Sequence, residues 1–226
     1  MNIVGDAITW LNDPYNWTAP GTGIIDLGVE HLEMTAAAVI VAAVLALPLG
    51  IYLGHTNRGA GVTILAANTT RAFPTLGIMF ILATTGLFGD GAAIVAAAIF
   101  AFPVLLANTY TGMHDVDRDV VDAARGMGMS GARIVTSVEL PLAVPLIAAG
   151  FRTTIVQVVA TIPLAAVVAG GGLGAIVVYG FANQRYDQVL AGGLVIAVLA
   201  LVIDLLLGLV QRALTPVYQR RGVRTA

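Results

Sequence analysis

No cysteine occurs in the 226 residues. That excludes a disulfide framework, thiolate metal sites and a cysteine nucleophile. Lysine is absent too, and all eleven basic residues are arginine. A glycine-rich phosphate loop ending in Lys is therefore missing, so the chain is not expected to bind and hydrolyse ATP by itself. Charge of either sign is scarce: 11% of residues are charged, where soluble domains carry about 25%. His31, His55 and His114 lie in three separate segments without ligand spacing, so no metal site is expected. No Ser-His-Asp grouping and no dense Arg patch is present, which leaves no catalytic residue, no cofactor and no nucleic-acid partner in view. The opening stretch MNIVGDAITW has no basic n-region and is not expected to be a cleaved signal peptide.

What the chain has instead is apolar length. Hydrophobic residues make up 58% of it, with a mean hydropathy of +0.90. A core of this size cannot hide that much apolar surface, so the surrounding solvent must be lipid. A buried helical bundle in water is the competing reading, and residues 153–184, which carry no charge, leave it little room. A helix needs roughly 20 apolar residues to cross about 30 Å of hydrocarbon. Five stretches qualify: Met34 to Gly54, Val62 to Leu87, Gly91 to Met113, Leu142 to Val168 and Gln188 to Gln211. The expected fold is therefore an all-α membrane protein with five transmembrane helices. Residues 1–33 form an extracytoplasmic segment, and residues 34–226 form one transmembrane domain with a cytoplasmic loop over 114–141.

Orientation follows from arginine. With the N-terminus outside, the inner segments hold Arg58, Arg118, Arg125, Arg133, Arg212, Arg220, Arg221 and Arg224, and the outer ones only Arg185. Eight against one sets N-out and C-in. The acidic start (Asp6, Asp13, Asp26, Glu30, Glu33) and its interfacial aromatics, Trp10, Tyr15 and Trp17, agree with that choice.

The longest inner loop carries most of VDAARGMGMSGARIVTSVELPLAVP, Val121 to Pro145, with Asp115, Asp117 and Asp119 before it. Carboxylates at a helix start cap free amides and complement the dipole. Val120, Val121, Ala124 and Met127 recur at three and four, which predicts one apolar face on a short helix. Gly126 and Gly128 should end it, Ser130 should cap a second helix, and Pro141 should mark the turn into the next span. Such a face seeks a protein groove. A helix lying on lipid headgroups is the alternative, but from Asp115 to Glu139 five acids face three arginines, and anionic lipid would repel them.

This stretch resembles the cytoplasmic signature loop of permease subunits of bacterial ABC importers. Asp122-Ala123-Ala124, Gly128, Val138 and Leu140-Pro141 fall at that motif's offsets, with Asp in place of Glu and Val in place of Ile. The segments EHLEMT, PLGIYLGH, RAFPTL, NTYTGM, ARGMGM, VELPLAVP and GGGLG extend the likeness to osmoprotectant permeases for glycine betaine, choline and carnitine. Permeases for methionine or another amino acid are the alternative substrate class. The resemblance implies a methionine-permease-like, type I ABC importer architecture and a path for compatible solutes. It also implies three protein partners: an ABC ATPase subunit, a second permease subunit and an extracytoplasmic substrate-binding protein. Coupling to the ATPase would fall to Val120, Val121, Asp122, Ala123, Ala124, Met127 and Gly128.

Two further motifs bear on the path. NTTRAFPTLG puts Asn68, Thr70, Arg71 and Pro74 at membrane depth, where an Arg must face protein or water and a Pro breaks a helix. They are expected to line the path; a snorkelling Arg71 is the alternative. AGGGLG, with Gly171 and Gly172, resists helix formation and reads either as a gate near the outer side or as a flexible turn. Arg152 and Asp204 lie at similar depths, roughly 16 and 12 Å into antiparallel spans at 1.5 Å per residue, and are expected to offset each other. A stand-alone secondary transporter is the competing functional class. It would need paired midplane carboxylates, and Asp204 is the lone candidate within a span.

Overall fold

Many large aliphatic side chains point outward in this protein, while stripes of alanine and glycine point inward. The computed structural model describes residues 2–59, 61, 63, 65 and 74–214. Helix α1 (Ile3–Asn12) and α2 (Pro14–Thr18) precede the long α3 (Ile24–Thr56). Then come α4 (Thr75–Thr84), α5 (Gly89–His114), the short α6 (Arg118–Gly126) and α7 (Gly131–Ile134). A π-helical turn (Val135–Glu139) joins α7 to α8 (Leu140–Thr161), which runs on as 3-10 turns over Ile162–Val168. Helices α9 (Gly174–Ala182) and α10 (Tyr186–Leu214) complete the described chain, which contains no strand among its described residues.

Among the described residues, four helical stretches are long and apolar enough to cross a membrane: Ile24–Thr56, Gly89–His114, Gly131–Val168 and Tyr186–Ala213. The first begins at Ile24 rather than Met34, because the polar residues between do not interrupt helical hydrogen bonding. Of the expected second span, α4 is the continuous helix within the described residues. Arg71 and most of its polar neighbours, Asn68 and Thr70 among them, lie outside them.

The packing is that of a helix bundle in lipid. On α3 a buried stripe runs Ala38, Ala42, Ala46, Gly50, Gly54, while Ile40, Val44 and Leu45 are exposed. On α5 the matching stripe is Ala93, Ala97, Ala101, Leu105, Thr109, Met113. Spacing by four keeps each stripe on one face and lets backbones approach closely. At Gly54 an added Cβ would meet Tyr110 O at 2.9 Å, so only glycine fits between the two helices. Helix α10 turns Leu201, Leu205, Leu206 and Leu209 outward. In water this would be an inverted core; against lipid tails large aliphatic surface costs nothing.

The chain divides into two compact units. One contains residues 1–41, 73–100 and 155–203, and the other 42–72, 101–154 and 204–226. The first unit therefore holds the N-terminal halves of α3, α5 and α10 with the C-terminal half of α8. Its core is Ile24, Leu27, Leu173 and Ile176, with Trp10 and Leu11 packed against it. Helix α1 is capped by Asn2 and α2 by Asp13, and the Trp17 indole N–H donates to Leu11 O at 2.7 Å, which folds α2 back on α1. The second unit holds the opposite halves and a smaller core of Val116, Val121, Ala124 and Ile134.

Candidate functional site

Asp117 caps α6, its carboxylate accepting the Asp119 N–H at 2.9 Å, and Arg125 sits in the last turn. Acid at the start and base at the end both suit the helix dipole. Val120, Val121, Ala124 and Met127 do not form a single outward face. Val121 and Ala124 are buried against Val116 and Ile134, whereas Val120 is 43% exposed and Met127 76%. The reason is azimuth. At about 100° per residue, positions 120 and 127 nearly coincide, and 121 and 124 lie about 40–100° further round. One sector holds the helix to its own chain. The other presents Val120, Ala123 and Met127 to solvent, with exposed Asp122 pairing to Arg125 at 2.9 Å beside it. Next to Val120 a cavity of about 360 Å³ is walled by Val116, Leu142, Pro145 and Leu146, with Asp115 and Asp117 also lining it.

Gly128 ends this element with φ +82, a left-handed conformation that side chains resist, and nothing lies within 4 Å of where its Cβ would be. Ser130 occupies the N-cap position of α7 but makes no side-chain cap bond. Pro141 makes no turn. The helix continues through it, because the π-turn over Val135–Glu139 has already widened the backbone to accept a residue without an N–H.

In the unit that contains residues 155–203, Ala169 (φ 64) and Gly172 (φ 73) break the helix. The glycine segment that follows is held, not loose. Gly171 N–H donates to Asp90 Oδ1 at 2.8 Å and Gly172 N–H to Glu30 Oε2 at 2.7 Å. A Cβ on Gly171 would overlap the Glu30 carboxyl group. Beneath the clamp, buried His31 bonds through Nε2 to Val159 O at 3.0 Å. Glu30, Asp90 and His31 were not singled out from the sequence as part of this site, where they read as ordinary charges near span ends. Replacing Glu30 with Ala is expected to speed amide hydrogen exchange over residues 170–173 by at least about tenfold. A hydrogen bond to a charged acceptor contributes about 1.5–3 kcal/mol. Unchanged exchange would mean the clamp does not hold the segment.

Arg152 and Asp204 meet in a two-point bridge: Nε to Oδ1 and a terminal nitrogen to Oδ2, both 2.7 Å. The other terminal nitrogen reaches Gln211 Oε1 at 3.4 Å. Gly208, one turn below Asp204, leaves room for the guanidinium, which would stand 3.2 Å from a Cβ there. Pro74 precedes α4 in extended backbone, while Asn68, Thr70 and Arg71 fall outside the described residues. Among the described residues no cluster of potential ligands could hold a metal.

Residues 46–216 match the family described as binding-protein-dependent transport system inner membrane component. The chain belongs to this family. As such an inner membrane component it is a transport permease and a multi-pass protein of the cell membrane. It is 36% identical over 193 residues to the choline transport system permease protein OpuBB of Bacillus subtilis (strain 168), covering 85% of this chain and 88% of that one. It is 33% identical over 217 residues to the carnitine transport permease protein OpuCD of Listeria monocytogenes, covering 96% of each. Among solved structures it is similar to an inward-facing conformation of the MetNI methionine ABC transporter, with TM-score 0.74 and 25% identity, covering 88% of this chain and 100% of that chain. Among the alternatives weighed from sequence, a stand-alone secondary transporter is set aside by this membership.

Proposed function

We propose that this permease is the membrane subunit of an ABC importer for osmoprotectants, small quaternary ammonium compounds such as choline, glycine betaine and carnitine. The observation that carries the reading is full-length similarity to permeases named for those solutes, with 96% of both chains covered in one case. Two permease subunits would enclose the path, a separate ATPase would supply energy, and an extracytoplasmic binding protein would deliver the solute. The solved methionine transporter argues for a shared fold, and methionine is the substrate alternative that the test must separate. Five spans with N-out and C-in are part of the proposal. The exposed strip of Val120, Ala123 and Met127, with Asp122 and Gly128, is the surface offered to the ATPase. Asn68, Thr70, Arg71 and Pro74, with the clamped Gly171 and Gly172, are proposed to line or gate the path.

The test is uptake by the assembled transporter in proteoliposomes. Choline, glycine betaine or carnitine should accumulate in an ATP-dependent manner and methionine should not. Accumulation of methionine alone would replace the substrate reading, and uptake driven by an ion gradient without ATP would replace the class.

A further inference from the structure

The loop that carries α6 is tied at both ends to one point, the last turn of α3. At its far end is Glu139, which is 0% exposed, with Oε2 2.6 Å from His55 Nδ1. A carboxylate has no hydrogen to give, so the imidazole N–H donates. At its near end Arg118, the first residue of α6, donates to Asn57 Oδ1, just beyond the end of α3. His55 and Asn57 are two residues apart; Arg118 and Glu139 bracket the whole loop.

Stability does not account for this arrangement. Glu139 Oε1 is buried with no partner among the described residues, so the carboxylate keeps a desolvation cost that an apolar side chain would avoid. It stands in the π-turn, a distortion that recurs at functional positions and that here accompanies the placing of residue 139 against α3. The loop between the ties is not slack, because Val116, Val121, Ala124 and Ile134 pack it into one body with Met129 and Val138. Gly54, adjacent to His55, lies against the α5 backbone at Tyr110, so the anchor point is itself seated on a second span.

We propose that His55 and Glu139, with Asn57 and Arg118 as the second tie, are positioning residues of the coupling step. They join the α6 loop to the end of α3, so that a displacement imposed on α6 by the ATPase reaches the first span as a rigid movement. The proposal rests on the coupling reading of α6 given above. Rigid transmission needs contacts with two discrete arrangements or none that yield, and a pair with one partner fully buried, as Glu139 is, is screened less than a fully solvated one.

The experiment uses the whole transporter in proteoliposomes, with retained ATPase, ATP hydrolysis and solute uptake measured on the same vesicles. His55→Ala and Glu139→Gln should each lower solute imported per ATP by about tenfold, with the ATPase still bound. The double variant should be no worse than either single, because both remove one contact. The natural chain has no cysteine, so a His55→Cys/Glu139→Cys pair can be bridged by a short bifunctional thiol reagent. Bridging should restore the ratio. An unchanged ratio in both singles, additive losses, or a bridge that forms without restoring coupling would each overturn the proposal. Loss of bound ATPase from these variants would overturn it as well, by making the pair a docking prop. Loss of bound ATPase from variants at Gly128 or Asp122 alone concerns the coupling surface, so the two readings fail separately.

Discussion

Asp204→Ala is expected to leave little folded protein in the membrane, the largest loss of any single substitution considered. The variant strands Arg152 inside a span, and an unpaired guanidinium in hydrocarbon must snorkel, draw in water or unfold its surroundings. Arg152 bonds to Asp204 at two points and to Gln211 at a third, so its whole fork is arranged around α10. Arg152→Ala should also lose folded protein, but less, since a carboxylate can be protonated and an arginine cannot. The double variant Arg152→Leu/Asp204→Leu should recover much of the loss, because replacing an ion pair within a span by apolar groups is far cheaper than breaking it. Monodisperse protein recovered from membranes, measured by gel filtration of a fluorescent fusion, is the readout. Equal recovery of Asp204→Ala and the parent chain would remove the pair from any structural role.

Gly128→Val is expected to abolish ATP-driven uptake, while Gly128→Asn retains much of it. The contrast isolates backbone conformation from bulk. Space around the site is open, so steric overlap is not the cause; the φ of +82 is. A left-handed conformation costs an ordinary L residue about 1–2 kcal/mol, and a β-branched one more, whereas Asn tolerates it. The strain would be relieved by rotating the turn that fixes Met127 relative to Val120 and Ala123. The exposed strip would then no longer present the single surface proposed to meet the ATPase. Gly126→Ala is the control: it sits within α6, has open space and needs no special φ. Copurification of the ATPase, followed by uptake, decides the matter. Full uptake with Gly128→Val would refute a conformational role for this glycine.

Much of this was legible without coordinates, for local reasons. Membrane solvent follows from composition, because no fold can bury 58% hydrophobic residues in a chain of this length. The reach of the spans follows from runs of apolar residues and a fixed rise per residue. Even the meeting of Arg152 and Asp204 could be anticipated, since depth in a span is a count along the chain. The loop after α5 announced a short helix by its three leading aspartates, and Asp117 does cap it.

What the sequence left open depends on azimuth and on partners distant in the chain. Periodicity put Val120, Val121, Ala124 and Met127 together; only packing against Val116 and Ile134 decided that two of them turn inward and two outward. The glycine segment could be a gate or a loose turn until Glu30 and Asp90, 142 and 81 residues away, were seen holding its amides. Glu139 counted only as one of five acids in the loop; fully buried itself, it became a partner of His55 where a π-turn adds a residue to that helix. Composition and spacing are sums over neighbours in sequence, so they fix the solvent, the elements and their ends. Which side chain meets which is set by the rotation of packed helices about their axes, and that appears only once all of them are in place.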